Sequence, residues 1–412
     1  MSTNARVALA TYIHALLQAT DAQSPLGRRL VDWLQHHSLL LGLDFEAVIR
    51  TRAASGRLRP KRNPALPLSR RSWEQLCAAV AAVIQPVAND DDIADANMAA
   101  FAARLRLTPA EVAILRFVFH ASREKSFDRL CDLLIGTKAI DSVGLLALCL
   151  GLTIGDIWDG LTGGDLARLR LVQMTGDGTA DFAYYLSWRV RTALLPPNHG
   201  LDAVEQALIG GRQTARLDYA DYAHMASARD FVRELLRGAL KGGKRGVNIL
   251  LYGPPGTGKT EFCRVIAAAI DCDLYAVGEA GHDGDEIPRD ERLDALRLAD
   301  RLAARRGSSL LLFDEMEDVL QAGDRTVTAG RTVRRAGSKV FFNRLLENNE
   351  VPTLWTTNAI GEFDPAFLRR MTFVLEMKRM TMQRRVGLWH GAAARHSLAL
   401  SDRQAQNLAR RH

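Results

Sequence analysis

Leu250-Leu251-Tyr252-Gly253-Pro254-Pro255-Gly256-Thr257-Gly258-Lys259-Thr260 decides how the second half of this chain is read. The apolar run Val247 to Tyr252 predicts a buried strand, and the residues from about Lys259 to Ile270 predict a helix. A Gly-rich turn between a strand and a helix is the context of a phosphate-binding loop. Its backbone N–H groups and the helix N-terminus favour negative charge. Gly256 and Gly258 let the backbone approach closely. The expected nucleotide-binding residues are Gly253, Pro254, Pro255, Gly256, Thr257, Gly258, Lys259, Thr260 and Glu261. Within that run Lys259 would reach the β- and γ-phosphates and the Thr260 hydroxyl would bind Mg²⁺.

Further along, Leu310-Leu311-Leu312-Phe313-Asp314-Glu315 reads as an apolar strand ending in two acids. Beside such a loop, Asp314 is expected to hold the metal and Glu315 to activate the attacking water. Taken alone the pattern is weak, because many strands end in acids. It gains weight from following Lys259 with one strand and one helix between. The strand Val351 to Thr357 ends at Asn358, whose amide is placed to sit between that water and the γ-phosphate. Asp364 to Arg370 reads as a short helix ahead of a strand from Thr372 to Met377. Arg369 and Arg370 are either solvated or project into a neighbouring subunit's site, where an arginine accelerates hydrolysis by roughly 10³–10⁵.

The succession GPPGTGKT, LLLFDE, WTTN and DPAFLRR resembles the AAA branch of the AAA+ ATPases over about residues 215–390, most closely bacterial members with a helical region ahead of one ATPase module. The resemblance implies an ATP- and Mg²⁺-dependent ATPase. It makes Gly253 to Thr260 the Walker A motif and Asp314 and Glu315 the Walker B pair. Asn358 becomes a sensor, and Arg369 and Arg370 become arginine fingers. It also implies a homo-oligomeric ring, usually a hexamer, with each site completed in trans. The fold expected is an α/β P-loop domain with a parallel sheet. A mainly α-helical N-terminal region with a winged-helix-like unit precedes it, and a partial helical lid follows. The chain departs from the family pattern twice. The segment Gly278 to Pro288, where the family carries a threading loop with an aromatic residue, has none and is acidic and Gly-rich. After the last strand only Met380 to His412 remain for the lid, with helices expected at Met382 to His396 and Ser401 to Arg411 and no assignable lid arginine.

Ahead of the loop the chain is helical by periodicity. Val7 to Leu17 and Leu30 to Leu41 carry apolar residues at helical spacing. Arg50 to Arg71 holds eight Lys/Arg, no acid, and Pro60, Pro64 and Pro67, and reads as a solvated linker. Thr108-Pro109-Ala110-Glu111 is a capping-box helix start. Leu145 to Leu150, a turn at Gly151 to Thr153, and Ile154 to Leu161 resemble a helix-turn-helix. Arg170 to Met174 and Phe182 to Leu186 would form a wing. The second helix offers Asp156 and Asp159 and no cation, which argues for protein contact over base reading. Residues 195–225 read as a second connection, and Ala226 to Leu240 as an amphipathic helix. The expected divisions are 1–72, 73–200, 201–378 and 379–412.

The 412 residues are 47% hydrophobic and 25% charged, ordinary for a globular protein. A net charge of +7 and a pI near 9.3 make the surface mildly basic without establishing nucleic-acid binding. Five scattered cysteines fit a reducing cytoplasm, and the apolar stretch Val143 to Ile154 is too short to span a bilayer. The first reading is an ATP-hydrolysing ring that remodels or regulates a protein partner chosen by the N-terminal region. The alternatives are an ATP-dependent DNA-binding protein and a non-catalytic nucleotide switch.

Overall fold

A computed structural model describes residues 3–49, 68–84, 92–136, 140–175, 183–277, 289–316, 326–328, 331–333, 337–363 and 365–411. The basic stretch centred on 50–67 and the acidic segment 278–288 lie outside the described residues. The chain divides into two compact units, Met1–Val204 and Glu205–His412.

The first unit is helical. Helices α1 (Thr3–Gln18) and α2 (Pro25–His37) carry the expected apolar stripes. α3 (Phe45–Ile49), α4 (Arg70–Val83), α5 (Ile93–Leu105), α6 (Pro109–Arg123) and α7 (Lys125–Gly136) follow. α4 takes in Arg70 and Arg71, assigned to the linker by composition, because Ser69 caps its first turn. The capping box at Thr108 forms as read. Glu111, only 5% exposed, also accepts the N–H of Leu166 at 3.3 Å, so one carboxylate starts α6 and anchors a later turn. Aromatic packing centres the core: the Tyr12 ring lies 4.8 Å from Phe117 and stacks on Phe127. α8 (Ser142–Leu150) ends at Gly151 with φ +64°, and the chain turns by 114° into the helical run Ile154–Arg168, which begins with α9 (Ile154–Thr162). α10 (Asp165–Arg168) leads to strands β1 (Val172–Thr175) and β2 (Ala183–Leu186), an antiparallel hairpin. The helix-turn-helix-and-wing order is therefore present. α11 (Trp188–Leu194) closes the unit, tied to α5 through Asn97, whose amide donates to Leu194 O and Asn198 O. Among the described residues no single helix is long and apolar enough to cross a membrane.

The stretch 195–225 is more structured than its polar, proline-containing sequence suggests. It holds α12 (Gly200–Ile209), the two-residue strand β3 (Arg212–Gln213) and a 3-10 turn (Tyr219–Met225). In the second unit α13 (Ala226–Lys241) precedes β4 (Asn248–Tyr252), and α14 (Lys259–Ala269) returns to β5 (Asp273–Ala276). α15 (Arg289–Arg306), β6 (Ser309–Phe313), the short pair β7 (Thr326–Thr328) and β8 (Arg331–Val333), α16 (Gly337–Asn348), β9 (Thr353–Thr357), α17 (Pro365–Leu368) and β10 (Phe373–Glu376) follow in order. The sheet order is β10-β4-β9-β6-β5-β3, all parallel except β3 against β5. Parallel strands need cover on both faces, which accounts for the unbroken apolar runs in β4 and β6. One face packs Ile249, Leu251, Leu310, Leu312 and Leu354 on Phe262 and Ile266 of α14. On the other, Trp355 meets Phe313 and Phe342 with centroids 5.3 and 5.8 Å away. Helices α18 (Met382–Arg395) and α19 (Asp402–Arg411) end the chain, matching the two lid helices expected.

Candidate active site

The three central strands β4, β9 and β6 end side by side, and the polar residues beyond their carboxyl ends meet there, as ligand sites of open parallel sheets do. After β4 the loop turns at Gly253, φ +150°, where an added Cβ would lie 2.2 Å from Met377 O. Gly258, φ +84°, forms the N-cap of α14 in a conformation that penalises side chains. Its carbonyl accepts the Tyr222 hydroxyl at 3.1 Å. Tyr222 is buried against Phe262, and burial, then the nearby Glu261, pushes its phenol well up, so it stays a neutral donor under the loop.

Lys259 is 8% exposed, and its Nζ donates to Gly253 O at 2.9 Å, Pro254 O at 3.2 Å and Asn358 Oδ1 at 2.8 Å. Two residues separated by 99 positions are thus joined directly. Thr260 Oγ1 donates to Asp314 Oδ2 at 2.7 Å, bringing together the hydroxyl and carboxylate expected to share a metal. Both are hard oxygen donors of the kind Mg²⁺ takes, so the residues fit that ion. Asp314 Oδ1 accepts the hydroxyl of Thr356, a fully buried residue of β9.

Glu315 is exposed, with φ +52°. For a residue with a Cβ this left-handed conformation costs on the order of 1 kcal/mol and persists only where its surroundings fix it. Its N–H donates to Asp314 Oδ1 and Thr356 Oγ1, each at 3.2 Å. Glu261 is expected among the nucleotide contacts by its place in the motif, and its side chain is engaged within the chain. Its carboxylate accepts the backbone N–H groups of Arg216 and Leu217, the latter at 2.8 Å, and pairs with Arg264 at 3.3 Å. The side chain therefore fastens the segment before the 3-10 turn to the first turn of α14.

Arg369 and Arg370 are not equivalent. Arg370 Nε donates to Glu347 Oε1 at 2.7 Å and its Nη1 to Ala366 O at 2.6 Å, so it braces α17 against α16. Arg369 is exposed. The lid helices reach back to the same region: Arg395 of α18 pairs with Asp221 at 3.0 Å and Asp218 at 3.2 Å, which cap the turn carrying Tyr222.

Sequence reasoning missed Tyr222, Thr356 and Arg292. The last, 9% exposed in the first turns of α15, donates from Nη2 to Asp314 O at 2.7 Å and lies 4.7 Å from the centre of the Phe313 ring. Thr356 had a signal in the WTTN run. Arg292, one of six arginines in α15, had none.

Residues 249–379 match the model of AAA, the ATPase family associated with various cellular activities. The chain is similar to the ATP-dependent zinc metalloprotease FtsH of Lachnoclostridium phytofermentans, 24% identical over 37% of this chain and 28% of that protein. It is similar to the ATPase family gene 2 protein homolog B of Homo sapiens, 30% identical over 37% and 21%. Spastin of Anopheles gambiae is 28% identical over 39% and 19%. The chain thus spans 19–28% of these relatives' length. A solved structure described under katanin self-assembly aligns with 50% of this chain and 69% of its own at 22% identity, with a TM-score of 0.37.

Proposed function

We propose, for a chain that belongs through residues 249–379 to the AAA family of P-loop ATPases, that it hydrolyses Mg²⁺–ATP as a homo-oligomeric ring and spends the cycle on a protein partner. The observation that carries the reading is the pairing of Lys259 with Asn358 at 2.8 Å and of Thr260 with Asp314 at 2.7 Å, with Glu315 next in the chain. Thr260 and Asp314 would hold Mg²⁺, which when bound offsets phosphate charge. Lys259 exchanges its present acceptors for phosphate oxygens. Asn358 orients the water, and the Glu315 carboxylate takes its proton. Arg369 of a neighbouring subunit stabilises charge developing on the transferred phosphoryl group. Arg370, held within its own chain, acts by fixing α17.

The names of relatives support a protein partner: besides the metalloprotease, they include a 26S proteasome regulatory subunit 8 homolog and a proteasome-activating nucleotidase. Residues 1–204 are the proposed partner-selecting part. Ile154 and Trp158 of α9, 64% and 42% exposed, lie beside Asp156 and Asp159, a surface suited to protein and repellent to phosphate backbones. The proposed setting is the cytoplasm, where buried thiols such as Cys131 and Cys263 remain reduced.

ATP turnover per subunit measured against protein concentration, with Lys259→Ala as blank, tests the reading. Turnover that rises with concentration and saturates supports sites completed between subunits. Turnover that stays at the blank refutes hydrolysis by this chain. Glu315→Gln is expected to retain ATP and lose hydrolysis, and normal turnover in it removes Glu315 from the proton-accepting role.

A further inference from the structure

The peptide joining Asp314 to Glu315 is held from both sides. Its carbonyl oxygen accepts from Arg292 Nη2 at 2.7 Å, and its N–H donates to Thr356 Oγ1 and Asp314 Oδ1 at 3.2 Å. A peptide is planar, so fixing its two polar groups fixes the orientation of the whole unit. Rotation of that plane is the motion by which Glu315 would leave φ +52° for an ordinary conformation and swing its Cα–Cβ bond away from the site. Thr356 is a short side chain on β9, rigid in the sheet. Arg292 is a long one, yet its guanidinium is buried and lies over the Phe313 ring at 4.7 Å, which restricts it to one orientation. The clamp therefore joins α15 to the end of β6 at the peptide that aims Glu315.

We infer that Arg292 is a positioning residue for hydrolysis: it holds the Asp314–Glu315 peptide in the orientation that presents the Glu315 carboxylate to the attacking water. The inference rests on Glu315 accepting the proton from that water. Arg292 bonds to the Asp314 carbonyl and so acts on hydrolysis through Glu315. A lysine at 292 keeps a charged donor for the Asp314 carbonyl and loses the planar stack on Phe313. A methionine keeps the apolar stem and loses the donor.

The test is steady-state ATP hydrolysis by the full chain carrying Arg292→Met or Arg292→Lys, alone and combined with Glu315→Gln. Arg292→Met is expected to lower kcat about 10- to 100-fold with KM within about threefold of the parent, because the loss falls on the step Glu315 performs. Arg292→Lys should recover part of that loss. In the Glu315→Gln background, Arg292→Met should change the residual rate by less than about twofold, since residues acting as a unit are not additive. A KM that rises while kcat holds, a loss that multiplies with that of Glu315→Gln, or parental kcat in Arg292→Met each overturns the inference. If Arg292→Met does not fold, Arg292→Lys decides: a lowered kcat at parental KM upholds the role and parental kcat removes it. A parental chain no faster than Lys259→Ala defeats the hydrolysis reading itself, and this role with it.

Discussion

Thr356→Val tests the wiring of the site without touching any residue proposed to meet nucleotide. Val matches Thr in shape and strand preference, so β9 should keep its pairing with β4 and β6. What disappears is one hydroxyl, fully buried, that donates to Asp314 Oδ1 and accepts the Glu315 N–H. The hydrogen bond to a carboxylate contributes about 1.5–3 kcal/mol. The N–H retains Asp314 Oδ1 as acceptor, which limits the further loss. The added methyl recovers about 0.8 kcal/mol of apolar burial. The net expectation is a destabilisation of about 2 kcal/mol. For a unit of this size that is a fall in melting temperature of about 4–8 °C. Turnover should fall about tenfold, since Glu315 loses one of the groups that fix its backbone. Thermal unfolding and ATP turnover are measured on Thr356→Val and on Thr356→Ser, which restores the hydroxyl. A Val variant that melts within about 1 °C of the parent and turns over at the parental rate refutes the reasoning. So does a Ser variant as impaired as Val.

Arg369→Ala is expected to slow turnover by roughly 10³ or more with the melting temperature unchanged. Arg370→Ala should lower the melting temperature through loss of its Glu347 and Ala366 contacts. Mixing each variant with Glu315→Gln chains and assaying turnover separates the two: recovery with Arg369→Ala marks action in trans, and the reverse pattern exchanges their roles. His120 gives a pH dependence. Burial first, then Arg123 and Arg116, holds its imidazole down to about 4, with Asp95 3.6 Å away and the Tyr12 ring beside it. Unfolded histidine titrates near 6.5, so the unfolded chain binds the proton first. Stability is therefore complete above about pH 6.5 and declines toward pH 4, by roughly 3 kcal/mol for the first unit. Urea unfolding of His120→Phe across that range should lose this slope, and an unchanged slope places the titration elsewhere.

The residues expected at the site from sequence were those whose chemistry and chain neighbourhood coincide. Lys259 and Thr260 open a helix after a glycine turn, and Asp314 and Asn358 end apolar strands, so periodicity and punctuation mark them together. The groups that hold them in place carry no such mark. Tyr222 lies in a seven-residue 3-10 turn, and β3 is two residues long, too short for either period to register. Arg292 and Asp314 stand 22 positions apart, and only the packing of α15 on β6 selects that arginine from its neighbours. Glu261 shows the converse. Its position in the motif suggests nucleotide contact, while its carboxylate serves two backbone amides from Arg216 and Leu217, which composition assigned to a connection.

The oxygens that Gly253, Pro254 and Asn358 present to Lys259 bear on how the loop would take a ligand. The lysine ammonium has three protons and donates to these oxygens. An arriving phosphate does not meet a vacant charge. It enters a substitution, and the driving force is the difference between phosphate oxygen and amide oxygen as an acceptor. Amide dipoles are weak competitors for a cation beside a polyanion and strong ones beside a neutral group. On the proposed reading, a nucleotide is expected to bind this loop more tightly than the nucleoside that lacks its phosphates, which equilibrium binding of adenosine, ADP and ATP measures. Because Asn358 Oδ1 is one of the oxygens that Lys259 meets, the end of β9 and the loop after β4 are joined through one ammonium, and a change of partner at the lysine bears on both strands.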